Sequence, residues 1–225
     1  MEAEGEMTDI QLHSIPLREV LHYLGWRGTP VDEQTLSGIR EMTRLALREL
    51  QPRVVYVRRK ILESGALEGT VLTPRGDAVQ SMLLPCKEAI VLAGTLGAQS
   101  ERLLLRIQSQ DSAKALLLDA VLSAGIEALM DAQEDVLRKQ LEASGLYLTD
   151  RFSPGYGDMP MRQTREICEV LDAQRRISLT VSDRGIMIPR KSVTAIMGIS
   201  EIPVARRPKG CDACDKRETC ALSRA

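Results

Sequence analysis

Arg151-Phe152-Ser153-Pro154-Gly155-Tyr156-Gly157-Asp158-Met159-Pro160 (RFSPGYGDMP) is the stretch on which the reading of this chain turns. Prolines at 154 and 160 hold it extended and deny it a helix. The segment is therefore a stiff, glycine-opened loop that buries little. It carries an arginine, a tyrosine and an acid in a chain with only four tyrosines, one tryptophan and one phenylalanine. A planar guanidinium on a rigid loop can grip a carboxylate with two parallel hydrogen bonds. Gly155 lets the backbone approach a ligand closely, and the ring of Tyr156 offers its face to a cation. A small molecule bearing both a carboxylate and a positive charge suits this set. So does a bland alternative, in which Arg151 makes a surface salt bridge and Tyr156 covers a sheet edge.

Upstream of the loop, Leu118, Leu122, Gly125, Leu129, Ala132 and Val136 recur in steps of four and three, which predicts a long helix over 112–144 closed by Gly145. Glu127, Asp131, Glu134 and Arg138 form a charged row on it. Glu134 and Arg138 make a favourable i,i+4 pair, whereas Glu127 and Asp131 repel. This row reads as a solvated face, or as a face on which Glu127 points into a pocket and meets a ligand amine or hydroxyl. Downstream, a helix is expected at 161–174, then strands over 177–181 and 192–199 with a turn at Arg184-Gly185 and Pro189.

The N-terminal half predicts a short helix over 16–24 capped by Gly25, then a helix whose start is read from Thr29-Pro30-Val31-Asp32 as N-cap, first turn and acid. Leu36, Ile39, Met42, Ala46 and Leu50 share one face of that helix, and Pro52 ends it. Val54–Val57 reads as a strand, residues 69–84 as one or two more around a Pro74–Gly76 turn. The apolar run Ala89–Ala93 reads as a strand buried on both faces, with a helix over 98–109 after it. The elements do not alternate as βαβ units, so the expected class is α+β with a largely antiparallel sheet.

At 225 residues and 44% apolar content the chain can fill one sizeable core, here assigned to 1–202, with 203–225 as a polar tail. A formal net charge of −1 leaves no basic excess for phosphates, which argues against nucleic acid. No run of about 18 apolar residues exists to span a membrane, and the acidic start MEAEGEMTDI lacks the features of a secretion signal, so a cytoplasmic location is expected. Catalytic constellations are scarce: the two histidines, His13 and His22, both lie near the N-terminus, and no phosphate-binding glycine loop occurs. Val20-Leu21-His22-Tyr23-Leu24-Gly25 approaches a cobalamin-ligand signature, but Val20 stands where the orienting aspartate is needed. The tail holds Cys211, Cys214 and Cys220, spaced C-x2-C-x5-C. Three thiolates are one short of a closed zinc or iron–sulfur site; Cys86 or Cys168 could supply the fourth, or the cysteines are incidental.

Three blocks in order resemble the activation, S-adenosylmethionine-binding domain of cobalamin-dependent methionine synthase. They are the helix IEALMDAQEDVLRK (126–139), the motif Arg151-x-x-x-Gly155-Tyr156 with Pro160, and the pair Ile177-Ser-Leu-Thr180-x-Ser182 and Met187-x-Pro189-x-x-Ser192-Val193. Together they span about 110–200, and LREVLHYLG in the N-terminal half is similar to stand-alone members of that family.

The resemblance implies an α+β domain with a twisted antiparallel sheet and flanking helices. It implies a reactivation subunit that binds S-adenosylmethionine for reductive methylation of cob(II)alamin on a methionine synthase or related corrinoid methyltransferase. The cobalamin would be carried by that partner, and the electron would come from a flavodoxin- or ferredoxin-like donor. By resemblance Arg151 takes the ligand carboxylate, Glu127 positions its polar end, the backbone at Ser153 and Gly155 contacts it, and Tyr156 lies near the transferable methyl. The protein's task is then positioning, which needs no histidine. Two other readings stand beside it: a redox module that delivers electrons through a cluster on Cys211, Cys214 and Cys220, and a non-enzymatic subunit that shields a corrinoid.

Overall fold

The structure, a computed structural model, describes residues 6–8, 10–26 and 30–204. Its centre is a five-stranded, fully antiparallel sheet in the order β1-β2-β3-β7-β4. The strands are β1 (Glu6–Thr8), β2 (Arg53–Lys60), β3 (Cys86–Thr95), β4 (Tyr147–Leu148) and β7 (Ser192–Ser200). A separate two-stranded ribbon pairs β5 (Thr180–Val181) with β6 (Met187–Ile188). The α+β class with an antiparallel sheet and flanking helices is thus what the chain adopts.

Why Ala89–Ala93 is apolar throughout follows from what covers the sheet. Ile90 and Leu92 enter one core with Val54 and Tyr56 of β2 and Ala195, Met197 and Ile199 of β7. The alternate residues Ala89, Val91, Ala93, Val55, Val57 and Ile196 enter a second core on the other face. With both faces covered, the period-2 alternation separates two interiors rather than core from water. The first core is closed by α1 (Leu17–Tyr23), α2 (Glu33–Glu49), α4 (Ala98–Gln108) and α5 (Ser112–Glu142). The second is closed by α3 (Asp77–Leu83), α6 (Gln163–Val170) and α7 (Ala173–Ile177).

The structure corrects several local expectations. Residues 77–83 form a helix, not a strand, because Val79 and Leu83 bury at i,i+4 spacing against the second core. The helix expected over 161–174 is two, broken where Asp172 adopts a left-handed φ of 48°. Ile177 ends α7 instead of opening a strand; Ser178 turns the chain at φ 57°, and only Thr180–Val181 pair as β5. The cap of α2 is Asp32, whose Oδ1 accepts from the Thr35 amide at 2.8 Å; Thr29 lies outside the described residues. On α5 the apolar stripe holds through Leu118, Leu122, Gly125 and Leu129, but Ala132 and Val136 are exposed. Leu137 and Leu141 continue the buried face, as the 3.6-residue turn drifts away from a shorter repeat. The strand β2, the strand β3 and the helices α1, α4 and α5 lie where the sequence places them, within a few residues.

Candidate functional site

Arg151 owes its position to an irregularity in the edge strand. Tyr147 and Leu148 pair with Ser200 and Ile199 of β7, and the Thr149 amide continues the ladder to the Gly198 carbonyl at 2.9 Å. The next paired residue is Phe152, which exchanges two 2.9 Å backbone hydrogen bonds with Ile196. Asp150 and Arg151 therefore both lie opposite Met197, which makes a β-bulge. In a regular strand consecutive side chains point to opposite faces. Here both turn toward α5, while Leu148 stays in the first core and Phe152 enters the second.

On α5 the two bulge residues meet the charged row. Arg151 Nε donates to Glu134 Oε2 at 3.1 Å; its Nη2 donates to Asp131 Oδ1 at 2.6 Å and to Glu127 Oε2 at 3.4 Å. Arg151 Nη1 makes no hydrogen bond among the described residues. Arg138 Nη2 donates to Glu134 Oε1 at 2.8 Å, Arg138 Nη1 donates to the Leu148 carbonyl, and the guanidinium lies 3.6 Å from Asp150 Oδ1. The row is therefore not a uniformly solvated face. Glu134 and Arg138 are almost fully enclosed, with side chains 4% and 9% exposed. Asp131 and Glu127 are open to water, at 51% and 38%. Among the described residues, four carboxylates face two guanidiniums here.

The loop after the bulge is held by its own backbone. The Gly155 amide donates to the Met159 carbonyl at 2.8 Å, and the Met159 amide to the Tyr156 carbonyl at 3.0 Å. Gly155 has φ +92°, and a Cβ there would meet the Met161 sulfur at 2.3 Å, so the position suits glycine. Phe152 and Met159 are buried in the second core and fix the loop at both ends. Tyr156 between them projects into solvent, 69% exposed. Asp158 has a structural task. Its carboxylate accepts from the backbone amides of Asp77 and Ala78, capping α3 from outside, and those amides hold its carboxyl below the usual range.

The residue that sequence reasoning missed is Tyr23, the last residue of α1. Partial burial raises its phenol to about 12, and the next cause is the carboxylate of Glu127, with Tyr156 and Arg151 also close enough to act. A tyrosine in an aromatic-poor chain was the signal available. Tyr23 thus lies near Glu127, Tyr156 and Arg151, and Ser153 and Gly155 follow Arg151 in the loop. Cys211, Cys214 and Cys220 lie outside the described residues. Cys86 and Cys168 are buried, and burial pushes their thiols up to about 11 and about 12. Among the described residues no group of three or more His, Cys, Asp or Glu side chains could hold a metal.

No protein-family model and no curated protein sequence matches the chain. Among solved structures, it superposes on the crystal structure of the MetH reactivation domain bound to AdoHcy with a TM-score of 0.66. The fold is that of the MetH reactivation domain. The likeness covers 89% of this chain and 80% of that one, at 14% sequence identity. The architecture expected from the three sequence blocks is therefore the one observed. No helix among the described residues is long and apolar enough to cross a membrane.

Proposed function

We propose that this chain is a reactivation subunit that binds S-adenosylmethionine and presents it to a corrinoid carried by a partner methyltransferase. The observation that carries this reading is the bulge, which sets the Arg151 guanidinium against the acidic face of α5 within the fold of a domain solved with AdoHcy. The residues present fit the ligand's chemistry. A guanidinium suits its carboxylate, the open carboxylate of Glu127 suits its ammonium, and the exposed ring of Tyr156 suits a sulfonium.

The ligand supplies an activated methyl, so the chain's residues have only to bind and orient. In this reading Arg151 takes the carboxylate and Glu127 the amine. Gly155 allows the backbone near Ser153 to come close, and Tyr156 flanks the methyl on the solvent side where a corrinoid would dock. The electron that such chemistry needs would come from a separate flavodoxin- or ferredoxin-like donor.

Calorimetric titration with S-adenosylmethionine tests this. Micromolar binding is expected, and Arg151→Lys is expected to weaken it at least about tenfold, because an ammonium cannot reproduce the two-point grip. Absence of binding to the wild-type chain, with and without a corrinoid partner, would overturn the reading.

A further inference from the structure

Resting on the reading that Arg151 receives a ligand carboxylate, we propose that Asp131 is an internal stand-in for that carboxylate and sets the affinity and selectivity of the site. An arginine grips a carboxylate end-on through its two terminal nitrogens. In this structure Nη1 has no hydrogen-bond partner among the described residues, whereas Nη2 is held by Asp131 at 2.6 Å and more weakly by Glu127 at 3.4 Å. The third contact, Nε to Glu134 at 3.1 Å, does not compete with an end-on ligand. The guanidinium is thus oriented from behind by an enclosed glutamate and covered in front by a half-exposed aspartate.

The two carboxylates differ in what their removal costs. Glu134 is shared with Arg138 and enclosed, so it stays. The Asp131 side chain is 51% exposed, and an ion pair so open to water is weak enough for a ligand to displace. A carboxylate-bearing ligand must expel Asp131 from Nη2 and bring a second negative charge up beside it. A ligand with an ammonium but no carboxylate gains the attraction of Asp131 without having to displace it. Asp131 therefore lowers the affinity for amino-acid ligands and raises it for simple amines.

Calorimetry with S-adenosylhomocysteine and with its decarboxylated analogue, on the wild type and Asp131→Asn, separates these effects. Asp131→Asn is expected to bind S-adenosylhomocysteine about three- to tenfold more tightly and the decarboxylated analogue equally or less tightly. Asp131→Ala should shift both ligands in the same directions, and the melting temperature of each variant reports that it is folded. Unchanged S-adenosylhomocysteine affinity, or equal tightening of both ligands, overturns the role of Asp131 and leaves the site itself standing. If neither ligand binds either protein, with and without a corrinoid partner, the binding reading falls and the role of Asp131 with it.

Discussion

At the scale of single residues, the loop 151–160 combines a tied arginine, an exposed tyrosine and an anchoring aspartate. Arg151 is tied to the carboxylates of α5, Tyr156 projects into solvent, and Asp158 holds α3 to the loop. The linkage gives this anchor a definite pH dependence. The Asp77 and Ala78 amides lower the Asp158 carboxyl from its ordinary 3.8. Its stabilising contribution is therefore present above about pH 4 and lost as the pH falls through the lower folded value. Asp158→Asn should melt below the wild type at neutral pH, and the gap should close in thermal melts taken progressively below pH 4. A gap that stayed constant with pH would remove the amide contacts as its cause. Nothing in the sequence marked this contact, since the partners are some eighty positions apart. The arginine and tyrosine stood out in the sequence because their side chains carry distinctive chemistry wherever they sit.

At the scale of elements, α5 and the edge strand β4 are joined by charge rather than by apolar contact alone. Arg138 crosses from the helix to the Leu148 carbonyl and shares Glu134 with Arg151. Removing one partner of an enclosed ion pair costs about 3–5 kcal/mol, because the charge left behind has no water to return to. Glu134→Ala is accordingly expected to lose about 3 kcal/mol or more, roughly 6–12 °C in melting temperature, measured by calorimetry or circular dichroism.

The amphipathic pattern made α5 legible in length and in the first half of its buried face. Its second half was not legible, because an enclosed Glu-Arg pair reads in sequence like any solvated charged row. The seven-residue α3 was missed for a related reason. Its start is fixed by Asp158, a distant residue, and the Pro74–Gly76 turn before it suits a strand equally well. The bulge was also hidden, since a two-residue strand carries no period from which a shift could be read.

At the scale of the whole molecule, one sheet serves two interiors, so each strand residue in the middle of the ladder is committed to one core or the other. The apolar run at 89–93 announced this arrangement, whereas the order of strands depended on pairings between distant segments. Cys168 lies in the second core, and Cys86 is enclosed near the end of β3. Both thiols are raised by burial above the ordinary value of 9.0, to about 12 and about 11. The stability this represents is intact below pH 9 and declines as the pH climbs toward those values, since only the unfolded chain ionises there freely. Peptide mapping after brief alkylation at pH 8 should leave Cys86 and Cys168 unmodified, and denaturant should expose them. Rapid native-state labelling of either would contradict their enclosure.

The placement of the bulge on β4 bears on how this architecture diversifies. Among the described residues, the sheet partner of β4 is β7, on one side only, so an extra residue there shifts no further described strand. An insertion into β3 would throw two neighbours out of register and disturb both interiors. A change of chain length at the bulge is therefore cheap, while the ladder that defines the fold is insulated from it. The segment after β4 can thus be rewritten while the scaffold is kept, which accords with an architecture shared at 14% identity with a solved domain.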